Sequence, residues 1–264
     1  MIVDYHVHLR EAGHEISHRL ETVERWVDEA DRRGVDEIGF TEHVYYFREL
    51  RPLLTIPYQV ERSNIPIEPY VEAVVEAKSR GLPVRLGVEV DYYPGRENEL
   101  GGILAPYPWD FVLGSIHYLD GLGIDVEPSL AAALGPEDAY RRYFEALAQA
   151  AQTGLFDSLA HPDLIKFFAG VIDWDRDRFL GRLDGVCLEV SSAGLRKPHG
   201  RLYPERELLA AARAASVGIT LASDAHEPTE VGRDLDRAVE HARAAGYDTV
   251  TVFDGREPRQ VPLG

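Results

Sequence analysis

The chain has 264 residues, 45% of them hydrophobic, which is ordinary for a globular protein with a substantial core. Length alone slightly favours two small domains, although single α/β barrels commonly reach this size. A formal net charge of -17 argues against nucleic acid as the main partner, because phosphate backbones attract basic surfaces, and leaves small molecules as the expected ligands.

Cysteine usage and the N-terminal residues indicate the compartment. Cys187 is the only cysteine, so no intrachain disulfide can form and a reducing compartment is expected. The N-terminus has no basic stretch followed by an apolar one, and no apolar run approaches the roughly 20 residues of a membrane span. We therefore expect a cytoplasmic protein that does not bind membranes, and we leave its oligomeric state open.

Strand and helix patterns alternate along the chain. Apolar residues spaced by three and four indicate helices, and short apolar runs indicate strands. In chain order the predicted elements are strand 2–7, helix 23–30, strand 36–41, helix 71–78, strand 83–90, strand 109–115, helix 140–151, strand 157–160, strand 186–190, helix 208–215, strand 218–222, helix 234–245 and strand 249–252. No linker or repeat divides the chain, so one domain over residues 1–264 is the simpler interpretation.

This alternation predicts an α/β fold with a parallel sheet, either open and doubly wound or closed into a barrel. Polar residues stand at or just past the predicted strand ends, namely His8, His43, Glu89, His117, His161, Arg196, Asp224 and His226. In a barrel all the strands end at one shared rim, whereas an open sheet brings fewer strands to its crevice. The pattern therefore favours a barrel, with irregular closure allowed.

The histidines among these residues indicate metal binding. His6 and His8 are two residues apart, so on a strand they point the same way and can hold one ion. Although a single histidine is more often solvated than a ligand, six of the ten histidines cluster at strand ends or in the first loop, beside acidic residues. Imidazole with carboxylate suits zinc, iron or manganese, whereas calcium prefers oxygen alone.

Covalent catalysis is poorly supported by the sequence. There is no G-x-S-x-G motif and no glycine-rich phosphate loop, and Cys187 lies inside a strand pattern. Residues 44–67 lack a clear period, and a loop of that length is usually functional or disordered.

The strand-end residues also carry a resemblance to a known family. The ordered motifs are Asp4-x-His6-x-His8, Thr41-Glu42-His43, Gly87-Val88-Glu89-Val90-Asp91, Gly114-Ser115-Ile116-His117, Ala160-His161-Pro162 and Ser223-Asp224-Ala225-His226. They resemble the motif series of the PHP (polymerase and histidinol phosphatase) superfamily, and residues 107–117 and 191–198 further resemble its monofunctional L-histidinol-phosphate phosphatases. The resemblance implies a single-domain, distorted (β/α)7 TIM-like barrel with two to three divalent metal ions at its C-terminal rim.

The same resemblance implies a ligand set for each metal. The first metal would be held by His6, His8 and Asp224, and Glu89 would bridge it to a second metal. The second metal would also take His117 and His161, and the third would take His14, His43 and His226.

Two residues of these motifs and loops, His14 and Asp4, are interpreted separately from the other residues. His14 lies in Glu11-Ala12-Gly13-His14-Glu15, where the phosphatases usually have a Cys-Pro-His-like run, so His18 competes with it as the first-loop ligand. Asp4 is expected to orient a ligand histidine through its other ring nitrogen instead of binding metal.

The implied reaction is hydrolysis of L-histidinol phosphate to L-histidinol and phosphate in histidine biosynthesis. A water bridging two metals ionises near neutral pH and can attack phosphorus, while cations hold the phosphate charge. The predicted catalytic residues are Glu89, Asp224 and Arg196. The predicted substrate contacts are Arg196, Lys197 and Lys166, and a solvated charge is the alternative for Lys197.

Other functions stay open at this stage. The superfamily also hydrolyses other phosphate esters, including nucleic-acid ends and phosphotyrosine, and the shared motifs do not exclude these. A non-catalytic metal-binding module is the second alternative, and the complete ligand set argues against it. Residues 45–60 are hypothesised to form a lid over the non-phosphate half of the substrate, the alternative being a covering loop packed by its own aromatic residues.

Overall fold

The computed structural model describes residues 1–11 and 13–264. Its strands are β1 (Val3–Val7), β2 (Glu37–Phe40), β3 (Val84–Leu86), β4 (Glu89–Asp91), β5 (Leu113–Ser115), β6 (Tyr118–Leu119), β7 (Leu122–Gly123), β8 (Ser158–Leu159), β9 (Cys187–Ser191), β10 (Ile219–Ala222), β11 (Thr249–Asp254) and β12 (Glu257–Pro262).

Helices separate most of these strands. The α-helices are α1 (Leu20–Arg32), α2 (Pro57–Arg62), α3 (Glu68–Ser79), α4 (Glu97–Leu104), α5 (Leu130–Leu134), α6 (Pro136–Ala151), α7 (Lys166–Ala169), α8 (Arg176–Leu180), α9 (Arg206–Ala214) and α10 (Leu235–Ala244). Short 3-10 helices are Val44–Tyr46, Arg48–Leu53, Ala193–Arg196 and Pro228–Glu230. None of the described helices is both long and apolar enough to cross a membrane.

Helix α1 shows how the sequence pattern becomes structure. Its apolar stripe includes Val23, Trp26 and Val27, and all three side chains are buried in the core. Gly34 follows the end of the helix with a φ of 71°, a left-handed backbone conformation that glycine adopts without strain. The predicted stripe and its stop signal are thus confirmed.

Two parallel sheets bring the strand ends together. One sheet has the order β1-β2-β3, and the other has the order β10-β9-β8-β5-β4. An isolated bridge between Val7 and Ala225 joins the end of β1 to the residues after β10, and a bridge between His43 and Glu89 joins the residues after β2 to β4. The parallel strands therefore follow one another in chain order around a distorted barrel whose two sheets are joined by isolated bridges. The predicted α/β class with parallel sheets is confirmed.

The strand predicted at residues 83–90 is split into β3 and β4. Gly87 lies at the break, where its amide donates a hydrogen bond to the carbonyl of Phe40 at 2.8 Å. A Cβ atom added to Gly87 would lie 2.6 Å from the Phe111 ring, and one added to Gly39 would lie 2.7 Å from it. The backbone thus approaches an aromatic side chain so closely that only glycine fits at these two positions.

The β11–β12 hairpin lies across the N-terminal ends of the strands. The amide of Arg256 in its turn donates to the carbonyl of Asp110, just before β5, and the Arg256 guanidinium binds Asp157, just before β8. Phe253 of the hairpin stacks on Phe111 with ring centroids 5.8 Å apart. The hairpin therefore covers this end of the barrel, and the predicted ligand residues lie at the other end.

Several short elements were not predicted from the sequence. Strand β12 pairs with β11 at the edge of the described sheet and is exposed along most of its length. Its sequence therefore has no alternation of apolar and polar residues. Helices α4, α5, α7 and α8 have eight residues or fewer, which is too short to show a helical period.

Candidate metal centre

Glu89, the first residue of β4, lies where the strand ends converge, and it is 1% exposed. Its Oε1 atom lies 3.3 Å from His161 Nε2 and 3.5 Å from His117 Nε2. Its Oε2 atom lies 3.4 Å from His6 Nε2 and 2.5 Å from His43 Nδ1. The two oxygens of one carboxylate thus face two sets of imidazoles, as a carboxylate that bridges two metal ions must.

Ligand atoms in the described part of the chain form three groups in which they lie within 4.8 Å of one another. The groups are His6, Glu89 and His161; His6, His8 and Asp224; and His8, His43 and His226. The second group is the set predicted for the first metal. The third brings His43 and His226 together as predicted, with His8 beside them.

Several donor atoms of these groups are buried without hydrogen-bond partners in the described part of the chain. Among the described residues, this is true of His6 Nε2, His8 Nε2 and both oxygens of Glu89. Buried polar atoms normally have a partner, because leaving one unpaired costs about 1–3 kcal/mol. Imidazole nitrogens and carboxylate oxygens are the donors that zinc, iron and manganese accept. The residues therefore fit the metal cluster that the sequence predicts.

Burial and nearby charges keep four of the candidate donor groups in the forms that bind metal, whereas nearby carboxylates overcome the effect of burial at His6 and His117 and raise the pKa of both rings. Burial lowers the pKa of both His43 and His226 to about 4, so each ring is neutral at pH 7 and offers a lone pair. Burial alone would raise the pKa of Glu89 and of Asp224, but the surrounding imidazoles hold the pKa of both carboxyls well below the usual value. Neutral imidazole and ionised carboxylate are the states that metal binding requires.

Three of the predicted ligands have a left-handed backbone. Asp224 has a φ of 53°, His161 a φ of 28° and His14 a φ of 64°. Asp224 and His161 lie two residues past the ends of β10 and β8, and such a conformation costs a residue other than glycine about 1–3 kcal/mol. Strain of this kind clusters at sites that bind ligands, because the surrounding structure fixes the side-chain direction there.

Two further carboxylates stand behind the ligand histidines. Asp91 Oδ1 lies 2.9 Å from His117 Nδ1 and also accepts the amide hydrogen of His117 at 3.0 Å. Glu42 accepts the amide hydrogen of His43 at 2.9 Å and forms a buried ion pair with Arg10. These contacts orient the ligand-bearing strand ends.

Glu189, in the middle of β9, is a site residue that the sequence analysis missed. Its Oε2 lies 2.8 Å from His6 Nδ1, and its Oε1 accepts the amide hydrogen of His161 at 3.1 Å. The available signal was a lone carboxylate within the apolar run 186–190, because a buried charge needs a partner.

Asp4 does not orient a ligand histidine through a ring nitrogen, contrary to the expectation. Its Oδ1 accepts the amide hydrogen of Ser223 at 2.8 Å, and its Oδ2 accepts the Ser223 hydroxyl and, at 2.8 Å, the amide of Gly232. Asp4 therefore fixes the loop that carries Asp224 and His226.

The two candidates for the first-loop ligand lie in different places. His18 is buried behind Glu42, with its Nε2 3.5 Å from Glu42 Oε2 and its ring against Phe47 and Tyr70. His14 is 66% exposed, with its Nε2 3.4 Å from Glu227. Neither belongs to the three groups of ligand atoms in the described chain, but His14 lines a cavity beside Asp224.

That cavity has a volume of about 330 Å³ and is also lined by His226, Arg196, Lys197 and Glu230. The Arg196 guanidinium donates a hydrogen bond to the Ser223 carbonyl, while its Nη1 is buried and has no hydrogen-bond partner among the described residues. A guanidinium with a spare donor beside a metal centre suits a phosphate oxygen.

Lys166, predicted as a substrate contact, is enclosed elsewhere. It is 1% exposed, and its Nζ donates to the Leu202 carbonyl at 2.6 Å and to Asp163 at 3.1 Å. Glu205 Oε1 also lies 3.1 Å from this nitrogen. The structure thus does not bring Lys166 to the cavity, because its ammonium is already satisfied by these acceptors.

Comparisons with known sequences agree with this geometry. The PHP domain family matches residues 4–191. A protein of Deinococcus radiodurans named "Probable histidinol-phosphatase" is 34% identical over 259 residues, covering 95% of this chain and 96% of that protein. The histidinol-phosphatase of Bacillus subtilis is 27% identical over 262 residues, covering 87% of this chain and 95% of that protein.

A solved structure shares the fold. It is the crystal structure of a histidinol phosphate phosphatase of Lactococcus lactis complexed with zinc, L-histidinol and phosphate. The TM-score is 0.76 at 20% sequence identity, and the match covers 97% of this chain and 98% of that one.

Proposed function

The chain belongs to the PHP domain family, and from this premise we propose that it is a histidinol-phosphatase. The proposed reaction is metal-dependent hydrolysis of L-histidinol phosphate to L-histidinol and phosphate in histidine biosynthesis. The relatives with this name align with nearly the whole of the chain. The fold matches that of a solved histidinol phosphate phosphatase.

The observation that carries the proposal is the position of Glu89. Its two oxygens face separate sets of imidazoles at 3.3–3.5 Å and 2.5–3.4 Å, so one side chain can hold two metal ions together. We propose that two to three ions of zinc, iron or manganese bind here. When bound, such ions supply a water that ionises near neutral pH and positive charge for the phosphoryl oxygens.

The side chains of this chain have distinct roles in the proposal. Glu89 and Asp224 hold the ligand shell together. Arg196 binds a phosphate oxygen through Nη1, which has no hydrogen-bond partner in the described chain, and Lys197, which lines the same cavity, adds positive charge. Lys166 has no role in the proposed site, because its ammonium is enclosed by acceptors.

Two further expectations, on the domain organisation and on the cellular compartment, complete the proposal. Residues 1–264 act as one domain, which is supported by the single cluster that the buried apolar residues of the described chain form. The enzyme works in the cytoplasm, a compartment in which the lone cysteine stays reduced.

The substrate is tested by comparing kcat/KM for a panel of phosphate monoesters with metal-loaded protein. The panel is L-histidinol phosphate, phosphotyrosine, p-nitrophenyl phosphate and a 5′-phosphorylated oligonucleotide. We expect kcat/KM for L-histidinol phosphate to exceed the others by at least about tenfold, because binding of the non-reacting half contributes to the rate. A higher kcat/KM for another monoester would assign the same metal centre to a different substrate.

A further inference from the structure

Glu189 contacts two of the candidate ligands at once, although the proposed reaction gives it no role. Its Oε2 lies 2.8 Å from the ring nitrogen Nδ1 of His6, and its Oε1 accepts the amide hydrogen of His161 at 3.1 Å. The side chain is fully buried. Glu189 thus links the end of β1 to the residues that follow β8.

The charge of Glu189 is compensated differently from that of Glu42. In the described chain, its ion-pair partner is His6 alone, whereas Glu42 has the guanidinium of Arg10 beside it. A buried carboxylate without a cationic partner is costly. Its presence in an apolar strand therefore points to a role that depends on His6.

The contact decides which nitrogen of His6 carries hydrogen. An ionised carboxylate can only accept, so the hydrogen lies on Nδ1, which faces Glu189. The lone pair then lies on Nε2, which has no hydrogen-bond partner among the described residues and faces Glu89 at 3.4 Å and Asp224 at 3.6 Å.

We propose that Glu189 is a positioning residue that keeps the His6 hydrogen on Nδ1, so that Nε2 is the metal-binding atom, and that it fixes the His161 strand end through the same carboxylate. Carboxylates that hold the second nitrogen of a ligand histidine typically change metal affinity by about 10- to 100-fold. The inference rests on the metal cluster of the proposed function but does not depend on the substrate.

Glu189→Gln separates the two contacts, because an amide has one accepting oxygen and one donating nitrogen. If the amide oxygen accepts from the His161 amide, the NH2 group faces His6 Nδ1 and favours the tautomer with hydrogen on Nε2. We expect this variant to bind zinc about 10- to 100-fold more weakly than wild type, as measured by competition with a chromophoric chelator.

The matched control is Asp110→Asn, which makes the same chemical change at another buried acid. Asp110 accepts from the amides of Leu86 and Gly255 and from Lys78, at the N-terminal ends of the strands. We expect it to lower the melting temperature and to leave zinc affinity within about twofold of wild type. Equal loss of zinc affinity in both variants would reduce Glu189 to a general structural role.

The tautomer of His6 can also be measured directly in the wild-type protein. In zinc-loaded protein labelled with 15N at histidine, we expect the His6 signals to show zinc on Nε2 and a hydrogen on Nδ1 that is shifted downfield by its bond to a carboxylate. Zinc on Nδ1 would overturn the inference while leaving the metal cluster in place. Failure of the wild type to bind zinc, iron or manganese would overturn the cluster itself and the inference with it.

Discussion

Glu89 is the residue on which the candidate centre depends, because its carboxylate is the only group within reach of the imidazoles on both sides in the described structure. One oxygen faces His117 and His161, and the other faces His6 and His43. Removing its charge should therefore weaken two ion sites together.

We expect Glu89→Gln to lower kcat/KM for L-histidinol phosphate by at least about 100-fold and to lower the metal content, because an amide bridges two cations poorly. His18→Ala should lower kcat/KM by less than about tenfold, since His18 contacts the outer carboxylate Glu42 and not the ligand groups. Steady-state kinetics with elemental analysis checks both. Equal losses would show that the cluster is centred elsewhere.

Cys187 provides a separate test at the same scale. Burial raises the pKa of its thiol to about 11, and the thiol, on β9, donates to the Thr251 hydroxyl on β11. Since the thiolate is the reactive form, the native protein should not react with a thiol reagent at pH 8, whereas the unfolded protein should react completely. Rapid labelling of the native protein would show that the Cys187 thiol on β9 is accessible to solvent.

The convergence of the candidate ligand histidines could be predicted from the sequence, because the ends of parallel strands meet at one rim. His6 lies near the end of a predicted strand, His43, His117 and His161 follow other predicted strands, and each lies near Glu89. The role of Glu189 could not be predicted in the same way, since it depends on the register of β9 against β8 and β10. Nor could the burial of Lys166, which depends on acceptors far along the chain.

Among the elements, β3 and β4 depend on glycine at the break between them. We expect Gly87→Ala to destabilise the protein by about 1–3 kcal/mol, because the added methyl group meets the Phe111 ring and the Phe40 carbonyl. Gly102→Ala is the matched control, since a Cβ there has no atom within 4 Å and the site lies inside α4. It should be neutral or stabilising by about 0.4–1 kcal/mol.

Urea unfolding of metal-free protein measures both variants. Similar stability of the two variants would contradict the close approach that the fold requires.

The segment between β2 and α3 is ordered, which its aperiodic sequence did not predict. It contains two 3-10 helices and α2, and Phe47 and Leu50 are fully buried. Tyr45 stacks on His43 with ring centroids 4.9 Å apart, and Gln59 donates to Asp91 at 2.7 Å. The segment thus packs with its own aromatic residues and also touches the candidate centre, so the lid hypothesis stays a prediction.

Substitution of Tyr58 tests the lid hypothesis without disturbing the core, because the Tyr58 side chain is 43% exposed. Its ring centroid lies 6.0 Å from that of Tyr45. If the segment contacts the substrate, Tyr58→Ala should lower kcat/KM for L-histidinol phosphate by about tenfold and leave p-nitrophenyl phosphate nearly unchanged. An equal change for both substrates, in protein that keeps its metals, would make the segment a packing element.

At the scale of the whole molecule, the formal charge of -17 has to be reconciled with an anionic substrate. The cavity offers Arg196 and Lys197, but Asp224 and Glu230 line it as well. Bound cations are therefore needed to make the local field favourable for phosphate.

The most direct measurement is the number of metal ions per chain in fully active protein, followed as a chelator removes them. We expect more than one zinc, iron or manganese ion per chain, because the ligand atoms of the described residues form three groups, one of which contains Glu89, and exceed what one tetrahedral ion can use. Phosphate release from L-histidinol phosphate should fall as these ions are removed and return when they are restored. At most one ion per chain in fully active protein, or activity that survives their removal, would contradict this account.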